Sequence, residues 1–530
     1  MHWRHECDGG AYRLVDDLMN TSSQTPPLRH SRKTATLVLS LPLDAPAAGE
    51  GLQRWLYEGL RRSIVAGRLP PDSILPGTRT LARQYQLARG TVLAAYEQLL
   101  SEGYVVARPG SGTRVSRQLP DCPIHVVTSP IEPDAAPAIV ERDPSGPWIQ
   151  RLVEHAPALP LVLSDVPPRP FLPHRSDIRA FPIDIWRQLH VRQLRTSRLE
   201  SLHDINAAGL PALRIAIAEH LAITRAVFVS PDQIAIVSST QQALDLCMRL
   251  LAGPDDTVWM EDPGHIGARQ VMLASGARVV DVGVDDHGMR VEDGIRDAAS
   301  SVLAYVTPGR QAPLGVRLSD DRRAALLRWA SEHGAMVFED DSDSEYAFTG
   351  TPLPALRSLP GGNEHVVLAS TFSRLMFPSL RLAFVVLPLR LVEPFKRAAA
   401  LTARTASGVA QAVLAEFLAE GHFERHIRRV KKRYASRAQA FERAAMRYWT
   451  GIIDVPAIEG GLDVLGRLVR LDESTAVQRL AAAGVDASPL TRYTSRHRHP
   501  PSLVMGFAPF DEAEIDQTAR LIASALRQAA

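Results

Sequence analysis

Four groups of residues in this 530-residue chain could carry chemistry. Ser238-Ser239-Thr240-Gln241 places hydroxyls and backbone N–H groups where an apolar run gives way to a helical pattern. Such a helix start is a natural cradle for an anion, phosphate above all. Phe338-Glu339-Asp340-Asp341 puts carboxylates at the end of a second apolar run. Ala369-Ser370-Thr371-Phe372-Ser373-Arg374, with Arg381 soon after, adds hydroxyls and guanidinium groups. An arginine fork beside hydroxyls suits the second side of an anion site. The fourth group is a concentration of arginine. Residues 51–117 hold ten arginines, no lysine and four acids, a net charge of +6. The whole chain carries only +2, so the remainder stands at −4. A basic module on a slightly acidic body points to phosphate contacts made by one part of the molecule.

The elements that position the arginines can be read from spacing. Leu52, Leu56, Leu60 and Ile64 recur at helical intervals and stop at Gly67. Pro70-Pro71-Asp72 is a turn. Thr78 is placed to N-cap a short helix whose inner face is Leu81, Ala82 and Tyr85. A tight turn at Leu87-Ala88 leads into a third helix that opens on Arg89, with Val92, Ala95, Tyr96 and Leu99 facing inward. Tyr104–Ala107 reads as a strand, Arg108–Thr113 turns the chain, and Arg114-Val115 starts back. Three helices and a hairpin make a winged helix-turn-helix.

From Leu210 onward, helical patterns alternate with short apolar runs. The runs at 234–237, 257–260, 278–282, 302–306, 336–338 and 366–368 read as strands. The alternation predicts an α/β domain around a mostly parallel sheet, with its site at the carboxyl ends of the strands. The anion-type residues above fall at those ends.

Bulk properties bound the rest. A chain of this length predicts two or three domains. Cys7, Cys122 and Cys247 are far apart and lack metal-ligand spacing, so neither a disulfide framework nor a metal site is expected. The amino terminus has no apolar signal-peptide core. The best apolar stretch, Leu380–Val392, is broken by Arg381 and Arg390, which argues against a membrane span and for a cytoplasmic protein. The domain plan is a poorly ordered extension over 1–48, a DNA-binding module over 49–117 and a proline-rich linker over 118–170. That linker includes a short helix at Trp148–Val153. A large body follows over 171–530.

The first module resembles the GntR-type winged helices. The phrases are Leu75-Pro76-Gly77-Thr78-Arg79, Ala88-Arg89-Gly90-Thr91-Val92, Tyr96-Glu97-Gln98-Leu99 and Arg108-Pro109-Gly110-Ser111-Gly112-Thr113. The resemblance implies binding to double-stranded DNA, with Arg79, Arg89 and Thr91 at major-groove bases or flanking phosphates. It also places Arg108 to Gly112 at the minor groove. Ala88 stands where the family usually has serine.

The body resembles the fold-type I pyridoxal-phosphate aminotransferases. The two parts together resemble MocR-type regulators, which join a GntR-type winged helix to an aminotransferase-like domain. The phrases include Ala208-Gly209-Leu210-Pro211, Glu261-Asp262-Pro263-Gly264, Tyr305-Val306-Thr307-Pro308, Glu339-Asp340-Asp341 and Thr371-Phe372-Ser373. The implied fold is multidomain, a winged helix-turn-helix plus an α/β fold-type I transferase-like domain, whose division near 395 is implied only by the family resemblance. The implied partners are operator DNA, a second copy in a homodimer and a small anionic effector. The implied cofactor is pyridoxal 5′-phosphate, with Ser239, Thr240, Gln241, Ser373 and Arg381 on its phosphate side and Asp340 at its pyridine nitrogen.

Several positions depart from that pattern, among them Gly309-Arg310-Gln311-Ala312-Pro313, where family regulators often read Ser-His-Gln-Phe-Pro. His265 and Ser342 stand where the family has tyrosines beside the ring. Arg374 stands where the family has the lysine that attaches the cofactor. A guanidinium stays protonated and is not a nucleophile, so covalent binding and transamination are not expected. The reading is therefore a DNA-binding transcription regulator with no catalytic residue. Two others stay open beside it: a working aminotransferase-family enzyme with a DNA-binding appendage, and a regulator whose body is only a dimerisation scaffold.

Overall fold

The computed structural model describes residues 43, 46, 51–108, 112–117, 119–120, 169–196, 206–348, 353–402 and 404–527. Nearly all of the expected extension, the turn at 109–111, most of the expected linker and the helix expected at Trp148–Val153 lie outside the described residues. So does the side chain of Arg108. The chain divides into two compact units, one within Met1–Val140 and one within Glu141–Ala530.

The first unit is built from α1 (Leu52–Val65), α2 (Thr78–Gln84), α3 (Arg89–Ser101), β1 (Val105–Arg108) and β2 (Gly112–Val115). The helical spacing read from the sequence becomes its core. Leu56, Leu60 and Ile64 of α1 meet Leu81 of α2 and Val92, Ala95, Tyr96 and Leu99 of α3. The Tyr96 hydroxyl donates to the Pro76 carbonyl at 2.8 Å, which fixes α3 against the turn before α2. The wing is an antiparallel pair running from Val105↔Val115 to Arg108↔Gly112. Gly112 has φ +83°, a conformation that favours glycine at this turn. Several boundaries differ from expectation: Arg108 belongs to the first wing strand, and Gly112 and Thr113 to the second, rather than to the turn. Gly77, not Thr78, is the N-cap of α2, because the N–H groups of Thr80 and Leu81 already reach the Gly77 carbonyl.

The second unit holds an eight-stranded sheet in the order β3-β10-β9-β8-β7-β4-β5-β6. Its strands are β3 (Ile234–Val237), β4 (Thr257–Asp262), β5 (Arg278–Asp285), β6 (Gly288–Met289), β7 (Leu303–Val306), β8 (Met336–Asp340), β9 (Val366–Thr371) and β10 (Ala383–Val386). The pairs β5/β4, β4/β7, β7/β8 and β8/β9 are parallel, as the alternating pattern predicts. β10 runs antiparallel between β3 and β9. The stretch Leu380–Val392 thus divides into this strand and the start of the helix Leu389–Thr402.

A second, four-stranded antiparallel sheet has the order β11-β12-β14-β13. Its members are β11 (Ile453–Asp454), β12 (Asp463–Leu468), β13 (Ser488–Pro489) and β14 (Ser502–Gly506). The helices His422–Tyr448 and Glu512–Arg527 share its core, in which Phe441, Trp449 and Phe510 surround Phe171. Among the described residues no helix is long and apolar enough to cross a membrane.

Candidate functional site

In the second unit the carboxyl ends of β3, β4, β7, β8 and β9 converge on one open cavity of about 770 Å3. Every ligand residue expected from the sequence lines it: Ser239, Thr240, Gln241, His265, Asp340, Ser342, Ser373, Arg374 and Arg381.

One end is built for an anion. Ser239 N-caps the helix Thr240–Leu251, its hydroxyl accepting from the Gln242 N–H at 3.1 Å. The amides of Thr240 and Gln241, ahead of that bond, have no intrahelical acceptor, and the helix dipole favours negative charge there. Gly267 leaves room beside them, since a Cβ there would stand 2.3 Å from Gln241 Nε2. The Ser373 hydroxyl is buried with no hydrogen-bond partner among the described residues. Arg381, exposed and in the left-handed region at φ +51°, forms no ion pair among the described residues.

The other end is a set of satisfied polar groups. The Tyr305 hydroxyl donates to Asp340 Oδ2 at 2.9 Å, and the Ser342 hydroxyl donates to Oδ1. His265 caps the helix Ile266–Ser275 by accepting the Ala268 N–H at Nδ1, 3.1 Å away. Burial pushes its imidazole down to about 4 despite nearby Asp340, so the ring is neutral at physiological pH.

Arg374 behaves differently from a free cation. Its Nε lies 2.6 Å from Asp343 Oδ1 in an off-axis ion pair, and its Nη2 lies 3.3 Å from Asp463 Oδ2. Burial opposes its charge, but Asp343, Asp463 and Asp340 together raise its pKa. Arg374 therefore keeps its proton, as expected, yet its charge is balanced inside the wall. Among the described residues Arg381 pairs with no carboxylate, and Arg310 donates only to the Gly315 and Asp463 carbonyls.

Asp463 is the hub of this wall. It accepts the His174 N–H at 2.7 Å and holds His174 Nδ1 at 2.8 Å, and His174 Nε2 meets the Tyr493 hydroxyl at 2.8 Å. Burial pushes the Asp463 carboxyl up, but His174 and Arg374 hold it down at about 2. Arg310 donates to the Asp463 carbonyl at 2.7 Å. His174, Asp343 and Asp463 were not singled out from the sequence, and Tyr305 and Arg310 stood there only within longer phrases. The only local signal was Gly460-Gly461 just ahead of Asp463.

The first unit presents a basic face. Arg79 and Arg89 are exposed, Thr91 is half-buried and Gly112 is exposed. Other arginines are already occupied. Arg54 pairs with Glu58, Arg61 donates to the Tyr104 hydroxyl, Arg114 donates to the Asp72 carbonyl and Arg117 pairs with Asp72. Arg79, Arg83 and Arg89 form no ion pair among the described residues, so their charge is available. Ala88 offers no side-chain cap to α3.

Comparison with known proteins places these two units. Residues 52–115 match the model of bacterial regulatory proteins of the gntR family, and residues 191–520 match aminotransferase class I and II. The probable rhizopine catabolism regulatory protein MocR of Rhizobium meliloti is 36% identical over 478 residues, covering 90% of this chain and 92% of that protein. The HTH-type pyridoxine biosynthesis transcriptional regulator PdxR of Corynebacterium glutamicum is 30% identical, covering 86% and 92%. Among solved structures, the α-aminoadipate aminotransferase LysN of Thermus thermophilus superposes with a TM-score of 0.64 at 24% identity. The match covers 73% of this chain and 97% of that one, a likeness of fold.

Proposed function

Because the chain belongs to the MocR-type transcription regulators, a gntR-family winged helix joined to an aminotransferase class I and II domain, we propose that its body senses a ligand without transaminating it. The observation that carries this is Arg374, ion-paired to Asp343 and Asp463 at the end of β9. It stands where the family resemblance puts the attaching lysine. No lysine is among the described residues lining the cavity, and the next one in the chain is Lys396. The body pairs with a second copy in the cytoplasm, so that two winged helices read paired half-sites on operator DNA.

The cavity fits part of pyridoxal 5′-phosphate. Ser239, Thr240, Gln241, Ser373 and Arg381 suit its phosphate, and Asp340 suits its pyridine nitrogen. His265 and Ser342 would flank the ring. This cofactor would take up an amine at its aldehyde carbon, with its pyridine ring supplying the electron sink. Arg374 supplies no nucleophile for that aldehyde. The cavity's own residues therefore bind and orient an anionic ligand and hold it non-covalently.

Borohydride treatment of the purified protein with pyridoxal 5′-phosphate should leave no modified residue in the cavity. Arg374→Lys restores an amine and should give at most weak modification at 374, since His265 and Ser342 still steady the ring poorly. Borohydride-fixed cofactor on the wild-type chain, or transamination at an ordinary enzyme rate, would favour the enzyme reading instead. Thermal stabilisation by the cofactor or by inorganic phosphate separates a sensor from a bare scaffold.

On the DNA side, Arg79, Arg89 and Thr91 read bases or hold phosphates, and Arg108 to Gly112 lie at the minor groove. Arg89→Ala should weaken binding to the protein's own promoter by about 1–3 kcal/mol. Arg108→Ala should weaken binding evenly across sequences and lower its salt dependence. Unchanged promoter affinity and specificity in Arg89→Ala would remove α3 from the reading role.

A further inference from the structure

The outer side of α3 carries an apolar residue that its own unit does not use. Leu93 is 48% exposed, although Val92, Ala95, Tyr96 and Leu99 of the same helix are buried. It sits between two charged residues that are also free. Arg89 and Glu97 are exposed, and neither side chain has a hydrogen bond or ion pair among the described residues. Arg89, Leu93 and Glu97 recur every four residues, so their side chains follow one another along the same side of the helix. The neighbouring surface is low. Gly90 has no side chain, with open space where a Cβ would stand, and Ala94 is small.

This stripe is unsuited to lying along phosphates. Glu97 would be repelled there, and Leu93 would gain nothing. Turned into the major groove, its members find partners. An arginine meets the O6 and N7 acceptors of guanine, and an apolar side chain meets the C5-methyl of thymine. Four helical residues advance about 6 Å, and stacked base pairs lie about 3.4 Å apart, so the second contact falls about two base pairs from the first. The net charge of +6 on residues 51–117 supplies the attraction that brings this face to DNA.

We propose that Leu93 is a specificity-determining residue, which reads the methyl group of a thymine about two base pairs from the base contacted by Arg89. The proposal rests on the reading of α3 as the helix that enters the major groove.

The test uses the full-length protein. Duplexes selected by the wild type from a random library should carry a thymine at a fixed position, within about two base pairs of the preference that Arg89→Ala removes. Replacing that thymine by deoxyuridine deletes only the methyl group. The change should weaken wild-type binding about fourfold, the worth of one buried methyl-sized group. It should leave Leu93→Ala binding unchanged. Leu93→Arg should select guanine at that position and keep the other positions. No fixed thymine there, or a deoxyuridine effect that is absent from the wild type or equal in Leu93→Ala, overturns the role of Leu93. If the wild type selects no sequence at all, the DNA-reading role of α3 fails first and takes this proposal with it.

Discussion

Replacing Arg225 by methionine is expected to cost the aminotransferase-like unit about 3–5 kcal/mol of stability. Arg225 and Asp341 form an ion pair at 2.8 Å, with side chains only 3% and 6% exposed. Arg225 Nη1 also donates to the Leu353 carbonyl at 2.7 Å. Burial already pushes the Asp341 carboxyl up, and it pushes neighbouring Glu339 up to about 7. Arg225 is the cation that offsets both. Methionine keeps much of the side-chain length, so the loss should come mainly from a stranded charge rather than from a void. Removing one partner of such a pair is costly, whereas removing both is often nearly neutral. The double variant Arg225→Met with Asp341→Asn should therefore recover much of the loss, with a coupling read from a double-mutant cycle. Urea unfolding followed by tryptophan fluorescence measures it. A loss below about 1 kcal/mol would mean the pair is solvated rather than buried. The position matters for the site, since Asp341 directly follows Asp340 and its carbonyl accepts from the Ser370 hydroxyl.

Local pattern carried most of what was legible in advance. Apolar runs ending in Ser239-Thr240-Gln241, Glu339-Asp340-Asp341 and Ser373-Arg374 come together because parallel strands bring their carboxyl ends to one edge. That convergence follows from topology alone. The partners of those residues were not legible. His174 and Asp463 are 289 residues apart, and nothing local in the sequence says which carboxylate neutralises Arg374. So the charge of Arg374 could be foreseen, but not its cancellation by Asp343 and Asp463. β10 was hidden for a related reason. Its four apolar residues sit inside a longer apolar stretch, and only pairing with β3 and β9 separates them. In the first unit the helical period was enough to identify the core. Arg79, Arg89 and Thr91 of the face proposed to read DNA came from the family resemblance, and the structure adds that Arg79 and Arg89 are exposed.

Alkaline pH should weaken the aminotransferase-like unit, and His220 is the group that titrates. Its side chain is 9% exposed, with Nε2 3.1 Å from Glu345 Oε1 and Nδ1 3.6 Å from Glu424 Oε1. The Phe423 ring packs edge-on at 5.2 Å and leaves little room for water. Burial alone would lower the imidazole pKa, but the two glutamates overcome it and raise it to about 9 from 6.5. A histidine raised in the folded state lends stability that is fully present below its unfolded value and lost as pH climbs through the folded one. The window is therefore pH 6.5 to about 9. At about 1.4 kcal/mol per unit, the contribution is on the order of 3 kcal/mol. Arg225 and Lys431 also act on Glu345 and favour its ionised form. His220→Gln keeps a hydrogen-bond donor but carries no proton to lose. Its stability should be lower than wild type at neutral pH and should change little up to pH 9, so the two curves converge. Wild-type stability that stays flat across this window, or falls equally in His220→Gln, would assign the titration elsewhere. Because Glu345 lies two residues beyond Asp343, the partner of Arg374, the same rise in pH should loosen that ion pair. Protection of the cavity wall against hydrogen exchange by bound phosphate should then fall over the same range in the wild type and not in His220→Gln.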